Sequence, residues 1–278
     1  FAAARSVTAE AAAPPVSPFL TLPGGLTRLV EVLAGHLETA GVDVRTDDPV
    51  DSVEPAPGVG YVVRGPSGSS VADAVILATP APVAARLLAP HAPAGAATLA
   101  AIDYASVTLV AFAYPPAALG RRLDGSGFVV ARGEGRLMTA CSWTSSKWAH
   151  VAPQGQVVLR VSTGRSGDDR ADELSDGALV AALRLELAEA LGIVAPPTEV
   201  SVTRWPRAFP QFTPGHRQRM ATVEAELSRR LPGVTLAGAA LAGVGVPTCI
   251  ATGRTAARRA LGHRGRDVDG LSRHGPPP

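Results

Sequence analysis

Apolar and polar positions along the chain switch repeatedly between helical spacing and short runs of strand character. Leu26, Leu29, Val30, Leu33 and Leu37 recur at helical intervals. Opened by Pro23-Gly24-Gly25 and closed near Gly41, they predict an amphipathic helix. Val42 to Val44 reads as a short strand. Pro49 to Val53 and Gly60 to Val63 read as a strand pair across Pro55, Pro57 and Gly58. The run VADAVILATP is apolar throughout and ends at Thr79-Pro80, which predicts one strand in the middle of a covered, parallel sheet. A helix carrying Val83, Leu87 and Leu88 is expected after Pro82.

The middle of the chain is strand-rich: Ser106–Tyr114, Gly127–Arg132, Leu137–Trp143 and Val157–Ser162. Leu179, Val180, Leu183 and Leu187 then mark a helix from Glu173 to Leu191, stopped by Gly192. Val200–Trp205 reads as another strand, and Met220, Val223, Leu227 and Leu231 as a helix before Pro232-Gly233. Thr235–Ala239 is expected to be a strand running into the glycine-rich turn GAALAGVGVPTCI, with a last helix from Cys249 to Leu261. The closing GHRGRDVDGLSRHGPPP has no periodicity and reads as a disordered tail. The order is α/β at both ends with a mixed middle. Two separated ends that build one sheet around an inserted domain would produce it.

Composition narrows the possible functions. With 278 residues and 46% hydrophobic content, the chain can bury one large core or two small ones. Its formal charge of +2 gives no reason to expect a nucleic-acid partner, and Arg229-Arg230 and Arg258-Arg259 read as solvated helix faces. Cys141 and Cys249 are too few for a disulfide framework or a four-ligand zinc site, and the six histidines show no metal-ligand spacing, so no metal is expected. No apolar run reaches the roughly 18 residues of a membrane span. A reducing, cytoplasmic setting fits, with peripheral membrane contact left open. Phe1 is not a start methionine, and the Ala/Pro-rich opening has neither the charged nor the apolar region of a signal peptide, so residues 1–20 read as an irregular edge and the chain as a fragment.

Four segments are candidates for chemistry. In GAALAGVGVPTCI, Gly238, Gly243 and Gly245 permit close backbone approach to a ligand, and Thr248 is a candidate N-cap for the last helix. A helix start of this kind favours negative charge, such as the N1–C2=O edge of a reduced flavin; a plain strand–turn–helix unit is the other reading. ADAVILATP ends where an α/β sheet binds nucleotides, or is simply a core strand. RWPRAFPQFTPGH joins Trp205, Phe209 and Phe212 to three prolines, as the wall of a planar-ligand pocket or as aromatics burying area. TACSWTSSKW carries Cys141, read as a small buried hydrophobe rather than a nucleophile. Its Lys147 could meet a substrate carboxylate or be merely solvated. No catalytic residue stands out, and the GxGxxG fingerprint is absent.

Taken in order, SPFLTLPGGLTRLVEVLAGHL, PVDSVEPAPGVGYVV, ADAVILATPAPVAARLL, YASVTLVAFAY, GSGFVVAR, LMTACSWTSSKW, RWPRAFPQFTPGH and LAGAALAGVGVPTCIATGRTAARRAL resemble the protoporphyrinogen/coproporphyrinogen oxidase family, within the wider amine-oxidase-like flavoproteins. They cover Ser17 to Leu261. TACSWTSSKW is most similar to the Gram-positive version, which acts on coproporphyrinogen III. The resemblance implies a partial FAD-binding Rossmann-like domain with an inserted mixed-sheet substrate domain, of the p-hydroxybenzoate-hydroxylase type. Implied divisions are an irregular edge at 1–20, FAD-binding parts at 21–85 and 216–262, a substrate domain at 86–215 and a tail at 263–278. It implies FAD contacts at Val50, Trp205, Val246, Pro247 and Thr248, although family members more often carry Asp at that last position. Phe128 and Leu137 are the implied substrate contacts.

The implied reaction is a six-electron oxidation of a porphyrinogen, with hydride passing to flavin N5 and dioxygen leaving as hydrogen peroxide. A ferrochelatase-type next enzyme is an implied partner. The family's N-terminal GxGxxG unit is expected to lie before Phe1. An amine-oxidase-like or desaturase-like flavoenzyme, and an inactive truncated remnant, are the alternatives.

Overall fold

The computed structural model describes residues 20–148, 150–152 and 155–271, with side chains described through His263. Its elements are α1 (Thr27–Thr39), β1 (Ser52–Ala56), β2 (Gly60–Gly65), β3 (Gly68–Ala72), β4 (Val75–Leu77), α2 (Ala81–Leu88), α3 (Pro93–Ala100), β5 (Tyr104–Tyr114), β6 (Gly127–Val129), β7 (Met138–Trp143), α4 (Thr144–Lys147), β8 (Val157–Thr163), α5 (Asp176–Leu191), β9 (Glu199–Pro210), α6 (His216–Arg230), β10 (Val234–Leu236), α7 (Ala239–Ala242) and α8 (Val246–Leu271). Three sheets form: antiparallel β1-β2-β3, a parallel pair β10-β4, and a five-stranded antiparallel sheet ordered β6-β7-β8-β5-β9.

Two apolar clusters hold these pieces. The first joins Val53 and Tyr61 of the small sheet, Leu77 of β4, Leu88 and Leu99 of α2 and α3, and Leu227 of α6. Tyr61 fastens it further by donating its hydroxyl to the Pro232 carbonyl at 2.7 Å, across 171 residues of sequence. This cluster also takes in Ala92, Ala96 and Ile102. The second packs α5 against one face of the five-stranded sheet. Leu179, Leu183 and Leu187 are fully buried there, each contributing about 2 kcal/mol of transfer free energy. Ser175 caps that helix by accepting from the Ala178 amide at 3.3 Å, and Gly192 ends it at φ 73°.

Several expectations are corrected. No strand forms at Val42–Val44; beside that segment, Asp43 instead binds the Arg45 guanidinium at 2.6 Å. VADAVILATP is not one strand. Its start closes the small antiparallel sheet as β3, and its end becomes β4, which pairs in parallel with β10 and leaves Ile76 exposed. The helix α3 has no counterpart in the apolar pattern, because its alanine-rich segment shows no apolar stripe. The strand expected at Val200–Trp205 runs instead from Glu199 through Pro210 and takes in most of the aromatic stretch. The last helix starts at Val246 rather than Cys249 and continues to Leu271, through part of the segment read as a disordered tail; residues 272–278 and the expected edge at 1–19 lie outside the described residues. Among the described residues, no helix is long and apolar enough to cross a membrane.

Candidate functional site

Strand alternation gives the five-stranded sheet two unlike faces. Phe128, Cys141, Val161, Val110 and Val202 stand opposite one another in a single row across the five strands. All belong to the cluster under α5. The alternate row, Val129, Ala140, Ser162, Leu109 and Thr203, therefore faces away from α5. Trp205 pairs with Val107 on that second, open face. Its neighbour Arg204 points the other way, its Nε donating to Asp176 Oδ1 at 2.9 Å and its Nη2 to the Leu174 carbonyl at 2.8 Å. Trp205 is half exposed, and Phe209 and Phe212 are 42% and 44% exposed, so these aromatics are not buried in a core.

Just past Trp205 the strand is irregular. Ala105 pairs with Phe209 and Val107 with Trp205, so Pro206, Arg207 and Ala208 together oppose Ser106. Arg207 adopts φ 46° there, and its amide donates to Ser106 Oγ at 3.1 Å. A left-handed arginine is a strained choice that a bulge beside a binding face can impose.

The second surface is the β10–α7–α8 turn. The Ala237 amide donates to the Leu77 carbonyl at 3.0 Å, and the Gly238 amide to Thr252 Oγ1 at 3.0 Å, binding the exit of β10 to β4 and to α8. His216, buried, binds the Ala240 carbonyl through Nε2 at 2.8 Å and fixes α7 from the start of α6. The first bond of α8 runs from the Cys249 amide to the Gly245 carbonyl at 3.0 Å. Gly245 thus stands at the N-cap, and Thr248 lies inside the first turn, correcting the expected capping role. Val246 and Thr248 carry amides of the group that a helix start leaves without intrahelical acceptors, while Pro247 has no amide hydrogen.

The other expected contacts sit elsewhere. Val50 packs partly against the first cluster, its carbonyl accepts from Arg86 Nη2 at 2.9 Å, and it lines a cleft with Asp48, Arg64 and Ser70. Phe128 and Leu137 belong on the α5 side. Phe128 lines a groove with Glu186 and Glu189, and the Leu137 amide donates to Glu186 Oε1 at 2.8 Å. The structure therefore joins Val246, Pro247 and Thr248 in one helix turn, and places Trp205 and Phe128 on opposite faces of one sheet. Cys141 is buried, and burial pushes its thiol up to about 12, far from a reactive thiolate.

A family model of flavin-containing amine oxidoreductases matches residues 10–261. The chain belongs to that family. It is 34% identical over 244 residues to a coproporphyrinogen III oxidase of Bacillus subtilis, covering 87% of this chain and 51% of that protein. It is 39% identical over 198 residues to a coproporphyrinogen III oxidase of Mycobacterium bovis, covering 70% of this chain and 42% of that one. A solved structure from Exiguobacterium, provisionally named a protoporphyrinogen oxidase, superposes with a TM-score of 0.77 at 30% identity over 92% of this chain and 54% of its own. The chain spans about half the length of the curated relatives it matches.

The residues of this family member fit a flavin. Thr79 Oγ1 is buried without a hydrogen-bond partner at the carboxyl end of β4, where α/β sheets receive nucleotides and where an unpaired polar atom calls for a ligand. The free amides at the start of α8 suit a negatively charged ring edge. Val244, Val246 and Ile250 stand exposed around them, offering an apolar surface to a planar group. The alternation Val157-Val158-Leu159-Arg160-Val161-Ser162 also puts Arg160 and Ser162 on the open face. Period-two spacing carries that signal, and the sequence reading did not use it.

Proposed function

We propose that this chain provides the substrate-facing sheet and the closing cofactor segment of an oxygen-dependent FAD oxidase of haem biosynthesis. It would convert coproporphyrinogen III to coproporphyrin III, or protoporphyrinogen IX to protoporphyrin IX. The observation that carries this reading is the uncovered sheet face with a half-exposed Trp205, in a chain whose relatives are named porphyrinogen oxidases. Six electrons and six hydrogens leave the macrocycle in three steps, and three dioxygen molecules become three hydrogen peroxides. FAD, when bound, supplies the two-electron acceptor and the reduction of dioxygen.

The protein's own residues bind and orient. Val50, Trp205, Val246, Pro247 and Thr248 would hold FAD, with the α8 amides favouring negative charge at the ring edge. The open face, apolar at Val107, Leu109 and Ala111, would lie against the macrocycle and exclude water. Phe128 and Leu137, on the opposite face, would shape the substrate domain from beneath rather than touch the ring. Each hydride would go to the cofactor, and the proton that leaves with it would pass to solvent and on to the peroxide; none of the described side chains is assigned as its acceptor. In this reading, the first cluster with α6, α7 and α8 is the FAD-binding part and the second is the substrate domain. The setting is the cytoplasm, with a ferrochelatase-type enzyme next in line.

The test is to express the complete reading frame, record a flavin absorption spectrum, and follow oxygen uptake with each porphyrinogen. A yellow protein consuming oxygen is expected, and Trp205→Ala should weaken flavin retention. A colourless protein, or a yellow one that oxidises neither porphyrinogen, overturns the proposal.

A further inference from the structure

The open face of the five-stranded sheet changes character along its strands. At one end it is apolar: Trp205 beside Val107, then Leu109. At the other end, Arg160 stands opposite both Ser142 of β7 and Ala111 of β5. Its neighbours Leu159 and Val161 are fully buried under α5, so the exposed guanidinium lies on the open side. Ser142 is flanked likewise by buried Cys141 and Trp143, which turns its hydroxyl to the open side. Lys147, exposed at the end of α4, folds back and donates from Nζ to Ser142 Oγ at 2.8 Å. The fold thus sets Arg160 in register with the serine that Lys147 binds.

Like charges on neighbouring positions repel, and among the described residues Lys147 has only the Trp148 ring, 5.8 Å away, and the Ser142 hydroxyl for company. No carboxylate pairs with Lys147 or Arg160 among the described residues, whereas Arg136, Arg165, Arg170 and Arg204 each have one. The acid in the neighbouring rows of this face, Glu199, sits on β9, two strands from Arg160. Hydroxyls flank Arg160 instead: Ser142 opposite it on β7, and Ser162 two residues along β8. Two cations without a carboxylate partner among the described residues, with serine hydroxyls beside them, make a carboxylate receptor.

Distance adds a second constraint. Four residues along β5 separate Val107 from Ala111, and one strand lies between β9 and β8. That places the cationic pair roughly 16 Å from Trp205, comparable with the span of a tetrapyrrole and its propionate arms. We propose that Lys147 and Arg160 form a subsite for the carboxylates of a polycarboxylate macrocycle lying on the Leu109–Ala111 floor, and that this pair favours a substrate with four carboxylates over one with two. The inference rests on the functional reading above and deepens it.

The test uses the flavin-loaded protein with Lys147→Gln and Arg160→Gln, singly and together. Binding of coproporphyrin III and of its tetramethyl ester is followed by porphyrin fluorescence, alongside oxidation of coproporphyrinogen III and protoporphyrinogen IX. Each substitution should raise the Kd for coproporphyrin III and the KM for coproporphyrinogen III about tenfold, the loss of one charge-assisted bond. Protoporphyrinogen IX should suffer less, and the ester should bind wild type and variants alike. Lys147→Arg and Arg160→Lys, which keep the charge, should retain binding. An unchanged Kd in the double variant, or an equal loss for the ester, overturns the subsite alone. Charge-dependent porphyrin binding without any porphyrinogen oxidation overturns the functional reading alone, and no porphyrin binding by the wild type overturns both.

Discussion

Asp168 shows how one carboxylate can fasten a loop. It accepts from Arg170 Nε at 2.8 Å and lies 3.5 Å from Arg165 Nε, while Arg165 and Arg170 both reach the Arg136 carbonyl. The Arg170 hydrogen bond, foremost, lowers its carboxyl to about 2. A carboxyl depressed by folding stabilises the protein above its ordinary value of 3.8, and that contribution fades as pH falls through 3.8 toward 2. Asp168→Asn should therefore melt lower than the parent at neutral pH, with the difference closing in acid. Thermal melts from neutral to acid pH check this; a constant difference would rule it out. Cys141 gives the opposite lesson. Its thiol is held protonated by burial, and its packing in the second cluster is the whole of its visible role.

Elements with similar patterns have unlike fates here. Stripes of leucine at helical spacing occur in both α1 and α5, yet α5 buries its leucines completely and α1 buries none of its residues. The helix α3 depends on a group far off in sequence: buried Glu226 of α6 accepts the Gly95 amide in its first turn and pairs with Arg230 at 3.3 Å. Glu226→Ala would strand that amide in the core and should cost about 1–3 kcal/mol, read as a lower melting temperature. A stability unchanged by the substitution would mean that α3 needs no such cap. Gly164 is a second test. It adopts φ 80°, and an added Cβ would fall 2.5 Å from the Ser106 carbonyl, next to the bulge at Arg207. Gly164→Ala should destabilise the β5–β9 bulge and disturb the open face around Trp205. An unchanged Trp205 fluorescence and melting curve would contradict that link.

At the scale of the molecule, apolar groups remain uncovered along α1, where Val30 is 66% and Leu33 57% exposed. Such surface favours association, so this chain by itself should bind a hydrophobic dye and self-associate. Because α1 buries nothing, Val30→Glu with Leu33→Glu should reduce both at little cost in melting temperature; a large drop would show α1 to be packed. The sequence by itself determined most of the helices, the strands of the middle and the family. Period and turn residues are local, and Leu179, Leu183, Leu187 and Gly192 declare a helix and its end without reference to anything distant. Trp205 and the Val246–Thr248 turn could be singled out in the same way. Tertiary structure alone decided the split of VADAVILATP between two sheets, since β4 forms only where β10 pairs with it across more than half the chain. It alone set Phe128 and Trp205 on opposite faces, and it alone brought Arg160 of β8 alongside the local Ser142–Lys147 pair. Which side of a sheet is covered, and which charges meet there, depends on strand register and on the helix that packs beneath. Neither quantity is carried by any one segment.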